Sequence, residues 1–287
     1  MPSLCRAALS LRSAFPALLV LLACPFGAAR AQDEVPFITT PDNVTLAMLQ
    51  LAGVTAKDFV IDLGSGDGRI VITAARRFGA RGLGVEIVPD LVAQSRANAV
   101  KAGVAARAEF RQQDLFETVL DGFSVITLYL LPELNLQLRP RLLALPAGTR
   151  VVSHDWDMGD WVPDRTVTLD VPDKTIGREK RSSVHLWVVP AAVQGLWCAA
   201  AGVQLQITQR FQTFSATLTA PGLPAPVVVV DGRIAGSALL SQDSLGGIKA
   251  ELRLDGGTLH LLRAAAPAIA YEGRRFMRAG ARGCGDF

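Results

Sequence analysis

A glycine-rich turn at residues 64–68 constrains the fold of this 287-residue chain more than any other feature. Residues 60–69 read VIDLGSGDGR, so the turn follows a short apolar run that predicts a buried strand and opens a segment with helical apolar spacing. Gly64 and Gly66 allow the backbone to turn tightly and approach a ligand, and Gly68 allows the helix to pack closely on the strand. This order predicts an α/β domain with a ligand site at the turn.

The spacing of the turn and the acid before it favour a cationic ligand. The glycines follow the pattern G-x-G-x-G, whereas dinucleotide-binding enzymes carry G-x-G-x-x-G. Asp62 ends the strand, where its carboxylate repels a pyrophosphate and attracts a sulfonium or an amino group. We therefore expect the ligand to be bound by five residues of this segment: Asp62, Gly64, Ser65, Gly66 and Gly68.

Further candidates follow the next two predicted strands. Glu86 comes about 20 residues after the glycines, where a doubly wound fold holds a ribose by both hydroxyls. Asp114 and Leu115 follow the third strand. We expect Asp114 to accept a hydrogen bond from an adenine amino group while Leu115 packs on the ring. Together with the turn, these side chains predict a site that binds a nucleoside.

The hydrophobic pattern divides the chain into two domains. Up to residue 190, short apolar runs alternate with segments of helical spacing, which predicts a parallel sheet with helices on both faces. Asp42 is expected to cap the first helix. From residue 191 the pattern changes to period-two alternation with Asp-Gly turns. We predict an α/β domain over 32–190 and a small antiparallel β domain, a barrel or a sandwich, over 191–287.

The first 31 residues have the features of a signal peptide. Arg6 and Arg12 precede an apolar run at 14–23 that is shorter than the roughly 20 residues of a transmembrane helix. Small residues favour cleavage before Gln32, and an uncleaved anchor or a buried helix is the alternative. We expect an exported protein, periplasmic or membrane-associated, and a cytoplasmic one if the leader does not function.

The cysteines agree with export. Cys24 ends the sequence LLAC, which resembles in part a bacterial lipobox and would give a lipidated, membrane-associated protein. Cys5 also lies in the leader, which leaves Cys198 and Cys284 in the β domain. An even pair in an exported chain predicts a disulfide between them, and two unrelated buried thiols are the alternative.

Charge and motif content argue against several other classes of protein. The chain has 29 Lys and Arg against 26 Asp and Glu, and the first 31 residues hold three of the basic residues and no acid, so the remainder is balanced. A balanced chain lacks the positive field that attracts a phosphate backbone, so we expect no nucleic-acid partner. The histidines and cysteines show no metal-ligand spacing, so we expect no metal, and hydrolase and kinase motifs are missing.

Residues 62–68 with Glu86 and Asp114 resemble motif I, the acidic loop and the adenine loop of class I S-adenosylmethionine-dependent methyltransferases. The resemblance implies a Rossmann-like class I methyltransferase sheet with helices on both faces and S-adenosylmethionine as the cofactor. The sulfonium and the amino group of that cofactor suit the acids of the predicted site.

The sequence is more closely similar to the small lysine methyltransferases that modify the c-ring protein of ATP synthase and the adenine nucleotide translocase. These enzymes share the DLGSGDGR turn, a segment like VPF at 35–37 with Thr40-Pro41, and a stretch like PAGTRVVS at 146–153. The resemblance covers about residues 35–190 and implies a protein lysine as the methyl acceptor.

Methyl transfer requires alignment of the acceptor with the sulfonium and, for a lysine amine, loss of its proton. Many amine methyltransferases carry an Asn/Asp-Pro-Pro-aromatic loop after the fourth strand, whereas residues 128–133 read LYLLPE here. Tyr129 is therefore our first candidate for a residue that faces cofactor or substrate, and Glu133 is the second. Asp155, after the next strand, is expected at the substrate mouth.

Two alternatives to a protein-lysine methyltransferase stay open. The acceptor can be a small molecule. The chain can also be an exported, non-catalytic binding protein that keeps the nucleoside pocket or uses the β domain for a partner, because the cofactor is made in the cytosol.

Overall fold

The computed structural model describes residues 38–174, 179–223, 228–243, 245–281 and 283–284. The predicted leader and the VPF segment lie outside the described residues. Residues 38–287 belong to one compact unit. Among the described residues, no helix combines the length and the apolar character needed to cross a bilayer.

The first half of the described chain forms a seven-stranded sheet with helices packed against it. The strands are β1 (Phe59–Leu63), β2 (Arg81–Glu86), β3 (Ala108–Gln112), β4 (Val125–Leu128), β5 (Arg150–His154), β6 (Arg165–Asp170) and β7 (Arg181–Val188). The helices are α1 (Asp42–Leu51), α2 (Arg69–Phe78), α3 (Pro89–Lys101) and α4 (Pro132–Leu143). The strand order is β3-β2-β1-β4-β5-β7-β6.

Five of these strands, β1 to β5, run parallel as predicted. β7, however, is antiparallel to β5, and β6 is antiparallel to β7, so the prediction of a parallel sheet is wrong at this edge. Only ten residues separate β6 from β7 in the sequence, and a separation this short favours antiparallel strands, because a parallel pairing needs a crossover of roughly a dozen residues or more.

The central strands are buried on both faces, which explains their continuous apolar runs. Every residue of β4 is buried, and α2 packs against the sheet with Ile70, Val71, Ala74 and Ala75. The expected cap at Asp42 is wrong, because Pro41 occupies the N-cap position of α1 and Asp42 is the first helical residue. At that position the negative charge of Asp42 interacts favourably with the positive end of the helix dipole.

The second half forms a closed barrel of eight antiparallel strands, one of the two predicted architectures. The strands are β8 (Gly195–Ala199), β9 (Val203–Arg210), β10 (Thr213–Thr219), β11 (Val228–Ala235), β12 (Ala238–Gln242), β13 (Ile248–Asp255), β14 (Thr258–Ala264) and β15 (Arg275–Arg278), with a 3-10 helix at Ala268–Tyr271. Each strand pairs with its neighbours in sequence, and β15 pairs with β8 to close the barrel.

Alternate side chains of the strands fill the barrel. Val203, Leu205 and Ile207 of β9 are buried inside, as the period-two pattern predicts. Cys198 and Cys284 form the predicted disulfide, with their Cα atoms 5.5 Å apart. The barrel therefore has its own apolar core and a covalent link between its first and last segments.

Candidate active site

The glycine turn joins β1 to α2 at the carboxyl edge of the sheet. The φ angles of Gly64, Gly66 and Gly68 are +79°, +52° and +83°, a region of backbone conformation that glycine adopts without strain. The backbone N–H groups of Gly64 and Ser65 both donate to the carbonyl oxygen of Val85 at 2.9 Å. These bonds fasten the turn to β2, so the turn has a fixed shape.

Two residues of the turn support it from inside. A Cβ on Gly68 would lie 2.6 Å from Phe110 Cζ and 2.8 Å from Ser95 Cβ, so this glycine allows close packing against β3 and α3, whereas the prediction named the strand before the turn. The hydroxyl of Ser65 is buried beside Gly84, whose Cβ would lie 2.6 Å from it. The side chain of Ser65 therefore packs under the turn and does not line its open side.

Glu86 lies where the sequence predicts a ribose-binding carboxylate. Its Oε2 accepts a hydrogen bond from the N–H of Gly66 at 3.0 Å. Its Oε1 accepts from the N–H groups of Ile87 and Val88 at 2.8 and 3.0 Å. The structure thus brings Glu86 and the middle glycine of the turn together.

The loop after β3 carries the two predicted adenine contacts. Asp114 is exposed, and its Oδ1 accepts a hydrogen bond from the N–H of Phe116 at 2.8 Å, while Leu115 is half-buried. The guanidinium of Arg141 on α4 donates to the carbonyl oxygens of Leu115, Phe116 and Thr118. Arg141 therefore fastens this loop to α4.

Asp62 is almost completely buried beneath the turn, with only 3% of its surface exposed. Burial raises the pKa of its carboxyl group to about 7, and the nearby charges of Glu86 and Asp67 add to this effect, although the hydrogen bond from Thr127 Oγ1 at 2.7 Å opposes it. A cationic ligand near the turn would stabilise the ionised form. The charge of an ionised Asp62 would therefore act on such a ligand from below the turn.

Arg69 connects the turn to the segment before α1. Its guanidinium pairs with Asp67 at 2.6 Å and donates to the carbonyl oxygen of Thr40 at 2.7 Å. The pKa of Arg69 is raised, mainly by its hydrogen bonds to Asp67. The positive charge of Arg69 is thus neutralised where it faces the cleft described next.

A cleft of about 590 Å³ opens beside the turn, at the carboxyl ends of β4 and β5. Tyr129 and His154 form one wall, with their ring centroids 4.0 Å apart and their planes 31° from parallel. His154 is 1% exposed, and its two ring nitrogens hydrogen-bond to Thr40 Oγ1 at 3.3 Å and Ser182 Oγ at 2.9 Å. Tyr129, our first candidate, therefore lies in the cleft.

The other two candidates, Glu133 and Asp155, do not line the cleft. Glu133 is exposed on the first turn of α4, and its carboxylate makes no hydrogen bond with the described part of the chain. Asp155 pairs with Lys174 Nζ at 2.7 Å and accepts a hydrogen bond from the N–H of Ser183 at 2.9 Å. Lys174 lines the cleft, so Asp155 is connected to the cleft through its ion pair with Lys174.

Sequence reasoning missed His154 as a cleft residue, along with its partners Thr40 and Ser182. One signal was available: His154 ends a strand that is parallel to the strand before Tyr129, and the carboxyl ends of parallel strands meet at one edge of a sheet. The partners lie 114 and 28 residues away in sequence, and no local pattern reports such contacts.

Residues 62–165 match the model of the ANTKMT methyltransferase domain. The chain is also 40% identical over 139 residues to a protein-lysine N-methyltransferase of Saccharolobus islandicus (strain REY15A), a stretch that covers 48% of this chain and 86% of that enzyme. The chain belongs to this family of class I methyltransferases. The family resemblance and the fold class predicted from the sequence are thereby confirmed.

The methyltransferase is similar to two further proteins. It is 35% identical over 133 residues to the adenine nucleotide translocase lysine N-methyltransferase of Mus musculus, covering 45% of this chain and 57% of the mouse enzyme. A crystal structure of an RNA methyltransferase from Salinibacter ruber in complex with S-adenosyl-L-homocysteine is 52% identical, with a TM-score of 0.50, and the match covers 54% of this chain and 96% of that one. The match to the family model ends before the barrel.

The methyltransferase uses S-adenosylmethionine, and the residues of the site fit this cofactor. The acids Asp62 and Glu86 suit its positive charge and its ribose, and Asp114 with Leu115 suits its adenine. When bound, the cofactor supplies a methyl group on a sulfonium. The chain itself supplies the fixed turn, the acidic surroundings and the adjacent cleft.

Proposed function

We propose that this methyltransferase transfers the methyl group to the ε-amine of lysine residues in a protein, and that the lysine side chain enters the cleft beside Tyr129 and His154. The cleft carries the proposal, because Arg69 from the end of the glycine turn and Tyr129 from the end of β4 line the same space. The relatives from Saccharolobus islandicus and Mus musculus, which are named lysine N-methyltransferases, support it.

The charges around the cleft favour a cationic acceptor. Among the described residues, the two cations that line it, Arg69 and Lys174, are paired with Asp67 and Asp155. The side chain of Asp42, which also lines the cleft, lies 3.9 Å from the guanidinium of Arg69 and is fully exposed. The face of the Tyr129 ring can attract an ammonium group, before and after methylation.

The aromatic pair aligns the amine and does not remove its proton. Burial and the charge of Asp155 raise the pKa of Tyr129, so its phenol stays protonated. Burial lowers the pKa of His154 to about 4, and both of its ring nitrogens already have hydrogen-bond partners. The amine therefore loses its proton to water through the open cleft, and the cleft would hold its lone pair in line with the sulfonium methyl group that the bound cofactor would supply.

The charge balance of the chain favours protein over RNA as the acceptor. The Salinibacter ruber protein is named an RNA methyltransferase, so RNA is the second candidate acceptor. An RNA-binding surface gains its affinity from clustered positive charge, whereas this chain beyond residue 31 has equal numbers of basic and acidic residues.

A transfer assay with three acceptor pools tests the proposal. The purified protein is incubated with methyl-labelled S-adenosylmethionine and poly-L-lysine or host protein, total host RNA, or a small-molecule extract. We expect label in protein that is recovered as ε-methyl-lysine after hydrolysis. Tyr129→Ala should abolish most of the transfer, and Tyr271→Ala in the barrel is the matched control. Label in RNA or small molecules alone, or cofactor binding without transfer to any pool, would overturn the proposal.

We propose in addition that the protein works outside the cytoplasm. The Cys198–Cys284 disulfide supports this location, because disulfides persist in oxidising compartments. The basic and apolar composition of the first 31 residues supports it as well. N-terminal sequencing of protein from the native host should begin at Gln32, or at a lipidated Cys24. Recovery of an intact Met1 form from the cytosol would overturn this proposal.

A further inference from the structure

The barrel packs one of its side chains against the apolar core of the methyltransferase sheet. Phe211 lies in the turn between β9 and β10 and has a φ of +50°, an uncommon conformation for a bulky residue. Its ring packs against the apolar cluster of the sheet and stacks on the buried Trp161, with centroids 6.3 Å apart and planes 24° from parallel. This contact thus reaches Trp161, which lies in the loop between β5 and β6.

The barrel also holds this β5–β6 loop, residues 155–164, by polar contacts. The buried side-chain amide of Gln212 donates to the carbonyl oxygen of Val162 at 2.5 Å. Arg210 pairs with Asp160 at 3.2 Å, and Arg233 pairs with Asp164 at 3.1 Å. The polar contacts of the barrel therefore fall on Asp160, Val162 and Asp164, every second residue in the distal half of the loop.

Helix α4 holds the same loop from the other side. The side-chain amide of Asn135 donates to the carbonyl oxygens of Trp156 and Asp157 at 3.3 and 3.2 Å. Arg139 pairs with Asp160 at 2.5 Å. Asp160 thus bridges the barrel and α4, so a change on the barrel side reaches the residues that α4 holds.

The near end of the loop lies at the cleft. His154 immediately precedes the loop and lines the cleft, and Asp155, the first residue of the loop, holds the cleft residue Lys174. Asp155 has a φ of +60°, so its backbone conformation depends on the contacts around it. The loop is therefore a short connection between the barrel and the wall of the cleft.

We propose that the barrel positions the acceptor side of the active site: Arg210, Phe211 and Gln212 fix the β5–β6 loop, and the loop fixes Asp155, Lys174 and the His154 wall. The inference rests on the proposed function, because it treats the cleft as the acceptor site. In the described part of the chain, the barrel's hydrogen bonds and ion pairs to the sheet domain do not involve the glycine turn or Glu86, so the cofactor side is independent of the barrel.

Gln212→Ala tests this positioning role, with Gln206→Ala as the matched control, because Gln206 is an exposed residue of β9 whose side chain makes no hydrogen bond with the described residues. Hydrogen–deuterium exchange is measured on the full-length protein. We expect exchange of the amides of residues 155–158, which have no hydrogen bond or ion pair with the described residues of the barrel, to rise about fivefold or more in Gln212→Ala. Exchange at residues 64–68 should stay within about twofold of the wild type in both variants.

The kinetic constants provide a second measurement, because a purely structural role of Gln212 would not change KM for the acceptor separately from the affinity for the cofactor. With poly-L-lysine as acceptor, KM for poly-L-lysine should rise about threefold to tenfold in Gln212→Ala, while the Kd of S-adenosylmethionine stays within about twofold.

Unchanged exchange at residues 155–158, or equal increases throughout the sheet domain, would overturn the proposal. If Gln212→Ala does not fold, the exposed Arg210→Ala takes its place with the same criteria. If the wild type does not methylate poly-L-lysine, the proposed acceptor fails, and the exchange data still decide the positioning role.

Discussion

The carboxylate of Glu86 accepts a hydrogen bond from the backbone N–H of Gly66 at 3.0 Å, although 20 residues separate them in the sequence. Two further backbone N–H groups, those of Ile87 and Val88, donate to its other oxygen. Three donors fix the carboxylate before a ligand arrives, which reduces the conformational cost of binding. The acidic end of β2 and the glycine turn thus form one rigid unit.

Glu86→Ala should weaken binding of S-adenosylmethionine at least about tenfold, because a hydrogen bond to a charged group contributes about 1.5–3 kcal/mol. Isothermal titration calorimetry measures the affinity. Glu109→Ala is the matched control, since Glu109 is an exposed acid on β3 that pairs with Arg111. Equal affinities of Glu86→Ala and the wild type would contradict the assignment of Glu86 to the ribose.

Gly68→Ala should destabilise the protein by packing as well as by backbone strain. Gly68 and Gly53 both have positive φ angles, of +83° and +61°, so alanine costs about 1–2 kcal/mol of conformational energy at either position. A Cβ at Gly53 meets nothing within 4 Å, whereas at Gly68 it meets Phe110 and Ser95 below 3 Å. In urea unfolding, Gly68→Ala should therefore lose about 1–3 kcal/mol more than Gly53→Ala. Equal losses would show that the α2–β3 packing tolerates the extra methyl group.

The glycine turn and the barrel differ from the cleft in how well the sequence predicts them. The roles of Gly68 and Glu86 follow from short motifs in which each residue has a local reason for its position. The contact between the rings of Tyr129 and His154 depends on the order of strands in the sheet, and the hydrogen-bond partners of His154, Thr40 and Ser182, come from distant segments. No local pattern specifies these contacts.

The ion pair of Asp155 with Lys174 is a contact that the sequence did not predict. The position of Asp155 after β5 was expected, but its partner Lys174 lies in the connection between β6 and β7. Lys174 comes close to Asp155 because β7 pairs antiparallel with β5, one of the two antiparallel pairings that the prediction of a parallel sheet did not include. The predicted strand directions therefore gave no indication that Lys174 faces Asp155.

Binding of S-adenosylmethionine should release protons from Asp62 near neutral pH. The free carboxyl group has a pKa of about 7, so about half of the molecules hold the proton at pH 7. A cationic ligand favours the ionised form and lowers this pKa, which releases up to about half a proton per site. Calorimetry at pH 7 in Tris and in phosphate detects the release as a difference in the observed enthalpy. The difference should disappear in Asp62→Asn, and a buffer-independent enthalpy in the wild type would refute the shifted pKa.

His154 should make the folded protein less stable at acidic pH. Its pKa is about 6.5 in an unfolded chain and about 4 in the folded protein, so the unfolded state binds more protons between these values. The contribution of His154 to the free energy of unfolding is fully present above pH 6.5 and is lost as the pH falls through 4. The total loss is about 2–4 kcal/mol. Asp62 acts in the opposite direction: the stability it contributes is fully present below pH 3.8 and lost as the pH rises through 7.

The contribution of His154 therefore has to be isolated by a variant. Urea unfolding between pH 4 and 6.5 should show a smaller increase of stability with pH in His154→Asn than in the wild type. His260→Asn on β14 of the barrel serves as the control and should keep the wild-type slope. Identical slopes in all three proteins would mean that His154 is not held neutral by burial.

The disulfide should stabilise the barrel and leave cofactor binding unchanged. Cys198 lies on β8, and in the described residues β8 pairs with β15 only through Cys198 with Met277 and Trp197 with Arg278, so the barrel closes along a short seam. Cys284 follows β15 and ties this seam covalently. The closed loop spans 86 residues, and such a link stabilises a fold by about 4–5 kcal/mol in the chain-entropy model. The Cys198→Ser/Cys284→Ser double variant should therefore unfold at a lower urea concentration than the oxidised wild type, while calorimetry finds the same Kd for S-adenosylmethionine. Coincident unfolding midpoints would show that the strand pairing alone holds the barrel closed.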